Sequence, residues 1–330
     1  MEFIDKNRND KFSDLRGLDL KELIYQIECF DLEYRDILNL TKKLTFGIEI
    51  EYENYDKIHV DKFINKNFSS WYSTYDGSLT SGGELISPIL TDTKQTWKEL
   101  RKICTHLKEN QAINKRSGAH IHVGAHILGK EKQYWINLVK LYTIYESIMF
   151  RFFYGDKLNA RVNIFRHAEP VANLLKEVLP ELQSQKYLNC FDDLLTFGSR
   201  YNAINFCNVS FSNGINEEKH KNTIELRCPN GTIEEVIWQN NINTFSKLIL
   251  ASKSENLDQE YLDYNIKEGI IDPDTKFYLY NEIRLKAALE FVDTIFNNNL
   301  DKVYFLKQYL KGFESNYGLK ELTKAKKFIK

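Results

Sequence analysis

Three things are missing from this sequence, and each absence closes off a class of protein. There is almost no net charge. Lys and Arg (45) nearly balance Asp and Glu (46), leaving a formal charge of -1, so no global field recruits nucleic acid or an anionic membrane, and any basic site must be local. There is no long apolar run: the richest stretch, near Ile148, is broken by Lys140, Glu146 and Arg151, and residues 1–14 lack the apolar core of a signal peptide. A cytoplasmic location with no membrane partner is therefore expected. Finally, there is no CxxC. The five cysteines, Cys29, Cys104, Cys190, Cys207 and Cys228, are odd in number and widely spaced, which argues against a disulfide framework or a zinc knuckle. They are expected to be reduced and mostly buried.

What is present is enough for a large core: 330 residues, 42% of them hydrophobic. Residues 1–43 read as an N-terminal helical extension, because Leu20, Leu23, Ile24, Ile27 and Phe30 recur at helical spacing within residues 15–40. A body is expected over residues 44–250. From Leu44 the period changes to two, as Phe46, Ile48, Ile50 and Tyr52 alternate with Gly47, Glu49, Glu51 and Glu53. Two further strands are expected around the Asp76-Gly77 turn, from Trp71 to Tyr75 and from Gly83 to Pro88. Helical periods follow at Trp97–Leu107 and across residues 131–153, and another carries Ile233, Val236, Ile237 and Phe245. Strand-like alternation lies around His120 to Val123, at Tyr201 to Phe211 and at Thr223 to Cys228. Residues 251–330 are expected to form a C-terminal helical region packed on the body, with residues 276–313 helical.

Strand geometry places residues i and i+2 on one face about 6.6 Å apart, so Glu49, Glu51 and Glu53 crowd together opposite Phe46, Ile48 and Ile50. Alone, that pattern also describes a solvated strand face. In Ser117-Gly118-Ala119-His120-Ile121-His122-Val123-Gly124 the two imidazoles share a face, and the flanking glycines leave room for a phosphate or metal to approach. Ile224-Glu225-Leu226-Arg227 sets a carboxylate beside a cation, which alone is also an ordinary surface ion pair. Glu84, after two glycines and before Pro88, is a further candidate ligand. Three strands that are apolar on one face and bear metal- or phosphate-type groups on the other outline a site. Its mostly carboxylate ligands suit Mg²⁺ or Mn²⁺ rather than a thiolate-bound metal.

Taken in order, Phe46-Gly47-Ile48-Glu49-Ile50-Glu51, Asp76-Gly77-Ser78-Leu79, Gly83-Glu84-Leu85-Ile86-Ser87-Pro88, the His120-Ile121-His122 segment and Ile224-Glu225-Leu226-Arg227 resemble the amidoligase family. That family is a branch of the glutamine synthetase and glutamate-cysteine ligase superfamily of carboxylate-amine ligases. The likeness covers roughly residues 44 to 250. It implies an α+β fold like a glutamine synthetase catalytic domain, an antiparallel sheet cupped over the active site with helices packed behind. It also implies ATP and Mg²⁺ (or Mn²⁺) as cofactors, and a small-molecule or peptide carboxylate and an amine as partners, with no nucleic acid beyond ATP. By similarity, Glu49, Glu51, Glu84, His120 and Glu225 would hold the metals, and His122, Arg200, Arg227 and Asn205 would meet the nucleotide or the acyl phosphate. Asp76 would bind or deprotonate the amine, or serve the turn alone, and Arg161 would recognise a carboxylate. Ala119 stands where a larger apolar residue is common in the family.

Two rival chemistries share these residues. A metallohydrolase would use His120 and His122, with His126 as third ligand, around zinc. A phosphotransferase of the same fold would phosphorylate a guanidino group, as related kinases do. A catalytically silent binding module fits less well, because buried carboxylates without a metal are costly.

Overall fold

The computed structural model describes residues 3–79, 81–112, 117–155, 164–195, 200–211, 221–268 and 282–310. Its centre is a six-stranded, wholly antiparallel sheet in the order β2-β3-β1-β4-β6-β5. The strands are β1 (Phe46–Glu53), β2 (Tyr72–Thr74), β3 (Gly82–Ile86), β4 (Ala119–Gly124), β5 (Ile204–Asn205) and β6 (Thr223–Leu226). Around them lie α1 (Gly17–Cys29), α2 (Lys57–Asn67), α3 (Lys94–Glu109), α4 (Lys132–Tyr154), α5 (Ile164–His167), α6 (Ala172–Ser184), α7 (Phe191–Leu195), α8 (Glu235–Ala251), α9 (Gln259–Glu268), α10 (Glu282–Ile295) and α11 (Asn299–Leu310).

The alternation in the sequence sets the two faces. Ile48 pairs with Ile121, which pairs with Leu226, while Ile50 pairs with Leu85 on one side and Ala119 on the other. These side chains are essentially fully buried, so one face of the sheet is continuous core. Helices close over it: Phe46 stacks on Trp97 of α3 at 5.5 Å, and Tyr142 of α4 lies 4.0 Å from the Cys228 sulfur. Each apolar side chain removed from water here contributes about 1.5–3 kcal/mol. Because period two allows no compromise, the opposite face of the same strands must carry the carboxylates and imidazoles.

Several local expectations change on folding. The N-terminal helix spans only Gly17–Cys29, since Phe30 is extended and the next segment is drawn away by tertiary bonds. Leu38 and Leu40 donate their N–H groups to Asp92, and Arg35 pairs with Asp301 at 2.5 Å. Alternation at residues 201–211 yields only β5, because the Asn205 side-chain oxygen accepts the Cys207 N–H at 2.8 Å and turns the chain out of the sheet. The C-terminal helical stretch is two helices, broken at residues 296–298, and residues 276–281 and 311–313 fall outside the described ones. Cys104 and Cys228 are buried, but Cys29 and Cys207 are exposed. No described helix is long and apolar enough to cross a membrane.

Candidate active site

The register brings the polar residues of four strands together. Glu51 of β1 pairs with Glu84 of β3, Glu49 with His120 of β4, and His122 with Glu225 of β6. Glu49 stands at the centre. One of its oxygens lies 2.7 Å from His120 Nδ1, and the other lies 3.1 Å from His122 Nε2 and 3.6 Å from Lys221 Nζ. Glu51 is 3.6 Å from the other nitrogen of His120 and accepts the backbone N–H of Gly118 at 2.5 Å. Glu225 accepts from Arg227 Nη1 at 2.5 Å and from Asn205 Nδ2 at 2.9 Å, and lies 3.9 Å from His120 Nδ1. Thr223 Oγ1 meets His122 Nδ1 at 3.1 Å.

These residues form three overlapping sets whose ligand atoms lie within 4.8 Å of one another: Glu49, Glu84 and His120; Glu49, His122 and Glu225; and Glu51, Asp76 and Glu84. Glu49 and Glu84 each belong to two sets. The donors are carboxylate oxygens with at most one imidazole per set, the chemistry of hard divalent cations. Charge points the same way. Burial, followed by the neighbouring charge of Glu49, pushes the Glu84 carboxyl up to about 8. Burial would also raise Glu49, but hydrogen bonds with His120 and His122 hold it well below the usual carboxylate range. Burial disfavours a charged His120, yet its bond to Glu49 moves it above the ordinary histidine value. The cluster is short of positive charge, and divalent cations would supply it.

The arginines sit beside this cluster. Arg227 is held by Glu225 and by the His167 carbonyl at 3.2 Å, while Arg200 is exposed and its Nη2 donates to the Tyr201 hydroxyl at 2.9 Å. Both guanidinium groups flank the Tyr201 ring, at 5.0 Å for Arg200 and 5.7 Å for Arg227. Asn205 reaches Glu225 directly and acts as its donor. Arg161 lies outside the described residues. At the other end of the cluster, beside Glu49 and His122, opens a cleft of about 650 Å³ lined by Gly47, Ile86, Pro88, Ile89 and Tyr72. Ile89 and Tyr72 are exposed large hydrophobics at its rim.

One residue at the site, Lys221, was not legible in the sequence, and Asp76 was legible in a different role. Asp76 joins Glu51 and Glu84 in a ligand set, where its Asp-Gly setting suggested turn chemistry or amine binding. Lys221 lacks any motif: only the start of β6 two residues later marks its position.

A family model described as "Putative amidoligase enzyme" matches residues 57–249, more than half of the chain. The matched stretch carries Asp76, Glu84, His120, His122 and Glu225. β1, with Glu49 and Glu51, precedes it and enters the site through its ladders to β3 and β4. No curated protein matches the chain significantly.

Proposed function

The chain belongs to the putative amidoligase family, whose members are ligase-type enzymes acting on a carboxylate and an amine, and from that premise we propose an ATP- and Mg²⁺-dependent ligase working through an acyl phosphate. The observation that carries the proposal is the pair of shared carboxylates. Glu49 and Glu84 join three ligand sets into one row on the polar face, with arginines beside it and an apolar cleft at one end.

Glu49, Glu51, Asp76, Glu84, His120 and Glu225 would hold the ions, and His122, expected at the phosphates, would join them because its ring shares a set with Glu49 and Glu225. Bound there, divalent cations would neutralise polyphosphate charge and favour attack at the γ-phosphorus. Asp76 is assigned to this group rather than to the amine, because its oxygen lies with those of Glu51 and Glu84. The cleft between Gly47, Ile86 and Pro88 suits the planar base of a nucleotide, whose phosphates would then lie toward His122 and Lys221. Phosphoryl transfer needs alignment and charge more than covalent help, and the chain supplies both. Arg227, fixed by Glu225 and the His167 carbonyl, presents its remaining donors to transferring oxygens, and Arg200 presents an exposed guanidinium beside the Tyr201 ring. A carboxylate oxygen of the acid attacks the γ-phosphorus and ADP leaves. The amine nitrogen then attacks the acyl carbon, phosphate departs and the nitrogen loses a proton.

The metallohydrolase alternative is weakened by His126, whose Nε2 is committed to the Lys43 carbonyl at 2.9 Å and which joins none of the ligand sets among the described residues. A guanidino kinase would give a phosphoguanidine in place of an amide. The test is to incubate the protein with ATP, Mg²⁺ and pools of amino acids and peptides, follow phosphate release, and then add hydroxylamine. A hydroxamate released from the protein and dependent on ATP is expected. Hydroxamate formed without ATP, or an acyl group found on Cys207 or Cys228, would defeat the acyl-phosphate reading.

A further inference from the structure

Lys221 has no part in the reading above beyond its position, yet its surroundings are built. Its Nζ lies 3.6 Å from Glu49, the carboxylate shared by two ligand sets. The backbone beneath it is pinned. Asn222 adopts a left-handed φ of 47°, which Asn tolerates better than most residues, and its carbonyl accepts the Ala125 N–H at 2.9 Å. Thr223 follows, its hydroxyl 3.1 Å from His122 and its N–H donating to the Asn208 carbonyl at 3.3 Å. This turn delivers the side chain to the point where the cleft meets the metal row. The side chain is 64% exposed, so its four-carbon stem remains free to swing.

A lysine cannot share a carboxylate oxygen with a divalent cation without like-charge repulsion. An ion at Glu49 would therefore expel the ammonium, and the nearest new anions would be phosphates in the adjoining cleft. Resting on the ligase reading, we propose that Lys221 is a substrate-binding residue with two partners: it neutralises Glu49 in the metal-free protein and transfers to the nucleotide polyphosphate when the metal binds. Metal loading thus favours phosphate binding, because the cation displaces the ammonium from Glu49 and leaves it for the phosphates.

The experiment uses the full chain and two probes. In a calorimetric titration with Mn²⁺ alone, Lys221→Met removes the competitor, so Mn²⁺ binding should tighten roughly two- to fivefold, the size of an exposed ion pair. On Mn²⁺-loaded protein, Lys221→Met should weaken tripolyphosphate binding about tenfold, the scale of a hydrogen bond to a charged group. Lys221→Arg should stay near wild type in both arms. Mn²⁺ affinity that is unchanged or weaker in Lys221→Met overturns the pairing with Glu49. Unchanged tripolyphosphate affinity overturns the transfer to phosphate. Wild-type protein that binds Mn²⁺ but not tripolyphosphate would overturn the nucleotide reading itself, and the Mn²⁺ arm would still report on Lys221 and Glu49 separately.

Discussion

Replacing Gly118 by alanine perturbs the site without touching a ligand. A Cβ at that position would stand 3.1 Å from a Glu51 oxygen and 3.2 Å from His120 Nε2, closer than side chains ordinarily approach. The carboxylate and the ring would each have to give by a few tenths of an ångström, and metal ligands hold their distances to within about 0.2 Å. The same residue's N–H donates to the other Glu51 oxygen, so one backbone unit positions that carboxylate from both sides. Displaced supporting groups typically lower metal affinity about 10- to 100-fold, or about 1.4–2.7 kcal/mol. The fold should lose little. Gly118 has no positive φ, and an alanine there restricts the unfolded chain, so the metal-free melting temperature should stay within about 3 °C of wild type. Mn²⁺ titration of Gly118→Ala, paired with a thermal melt, checks both parts. Affinity within about threefold of wild type in a normally melting protein would show that Glu51 and His120 do not ligate.

Glu225→Gln takes one charge from the Glu49, His122 and Glu225 set and leaves the core untouched, so turnover should fall below about a tenth of wild type while cooperative melting persists. Retained turnover at saturating Mg²⁺ would remove Glu225 from the ligand set. Leu226→Asp, one residue on, points the other way: Leu226 is fully buried, and an unpaired charge there costs several kcal/mol, so no cooperatively folded protein is expected in circular dichroism melts. Glu146, buried in α4 and accepting the N–H groups of Val171 and Ala172 at the start of α6, gives a pH signature. Burial pushes its carboxyl up to about 7 against those two backbone bonds. Its folded pKa is thus raised, so its contribution is complete below the ordinary value of 4.5 and is lost as pH rises to about 7, a decline of about 3 kcal/mol. Urea unfolding at pH 5 and pH 7.5 should show most of that decline, about 2 kcal/mol, in wild type and a smaller one in Glu146→Gln. Parallel profiles would exclude Glu146 as its source.

The face-setting alternation of β1, β4 and β6 was legible because both consequences of period two, core on one side and ligands on the other, are written in residue type. Glu49, Glu51, His120, His122 and Glu225 could be assembled from it before any strand order was known. The order itself was not legible. That β1 lies between β3 and β4 depends on ladders between segments tens of residues apart, and no local signal records them. Asp76 was placed at a turn by its glycine neighbour, yet its role among carboxylates depends on where β2 and β3 carry it. The N-terminal segment shows the same limit. The Phe12 and Ser13 N–H groups bond to Asp293, and the Asn299 N–H bonds to the Arg8 carbonyl. Contacts across some 280 positions leave no periodicity behind.

The sheet order has a further consequence for how this protein can fail. Apart from Asp76, which lies between β2 and β3, the proposed ligands come from β1, β3, β4 and β6, which stand side by side through three ladders. If any ladder slipped by one residue, its ligands would turn into the core and its apolar side chains would turn outward. Full metal occupancy would then certify that all three pairings had formed correctly, which helix content could not do. In a crowded folding reaction the site would work as an internal checksum. Changes in the connecting helices would be tolerated as long as the strands arrived in phase, whereas a single inserted residue within a strand would erase function while leaving most of the secondary structure standing.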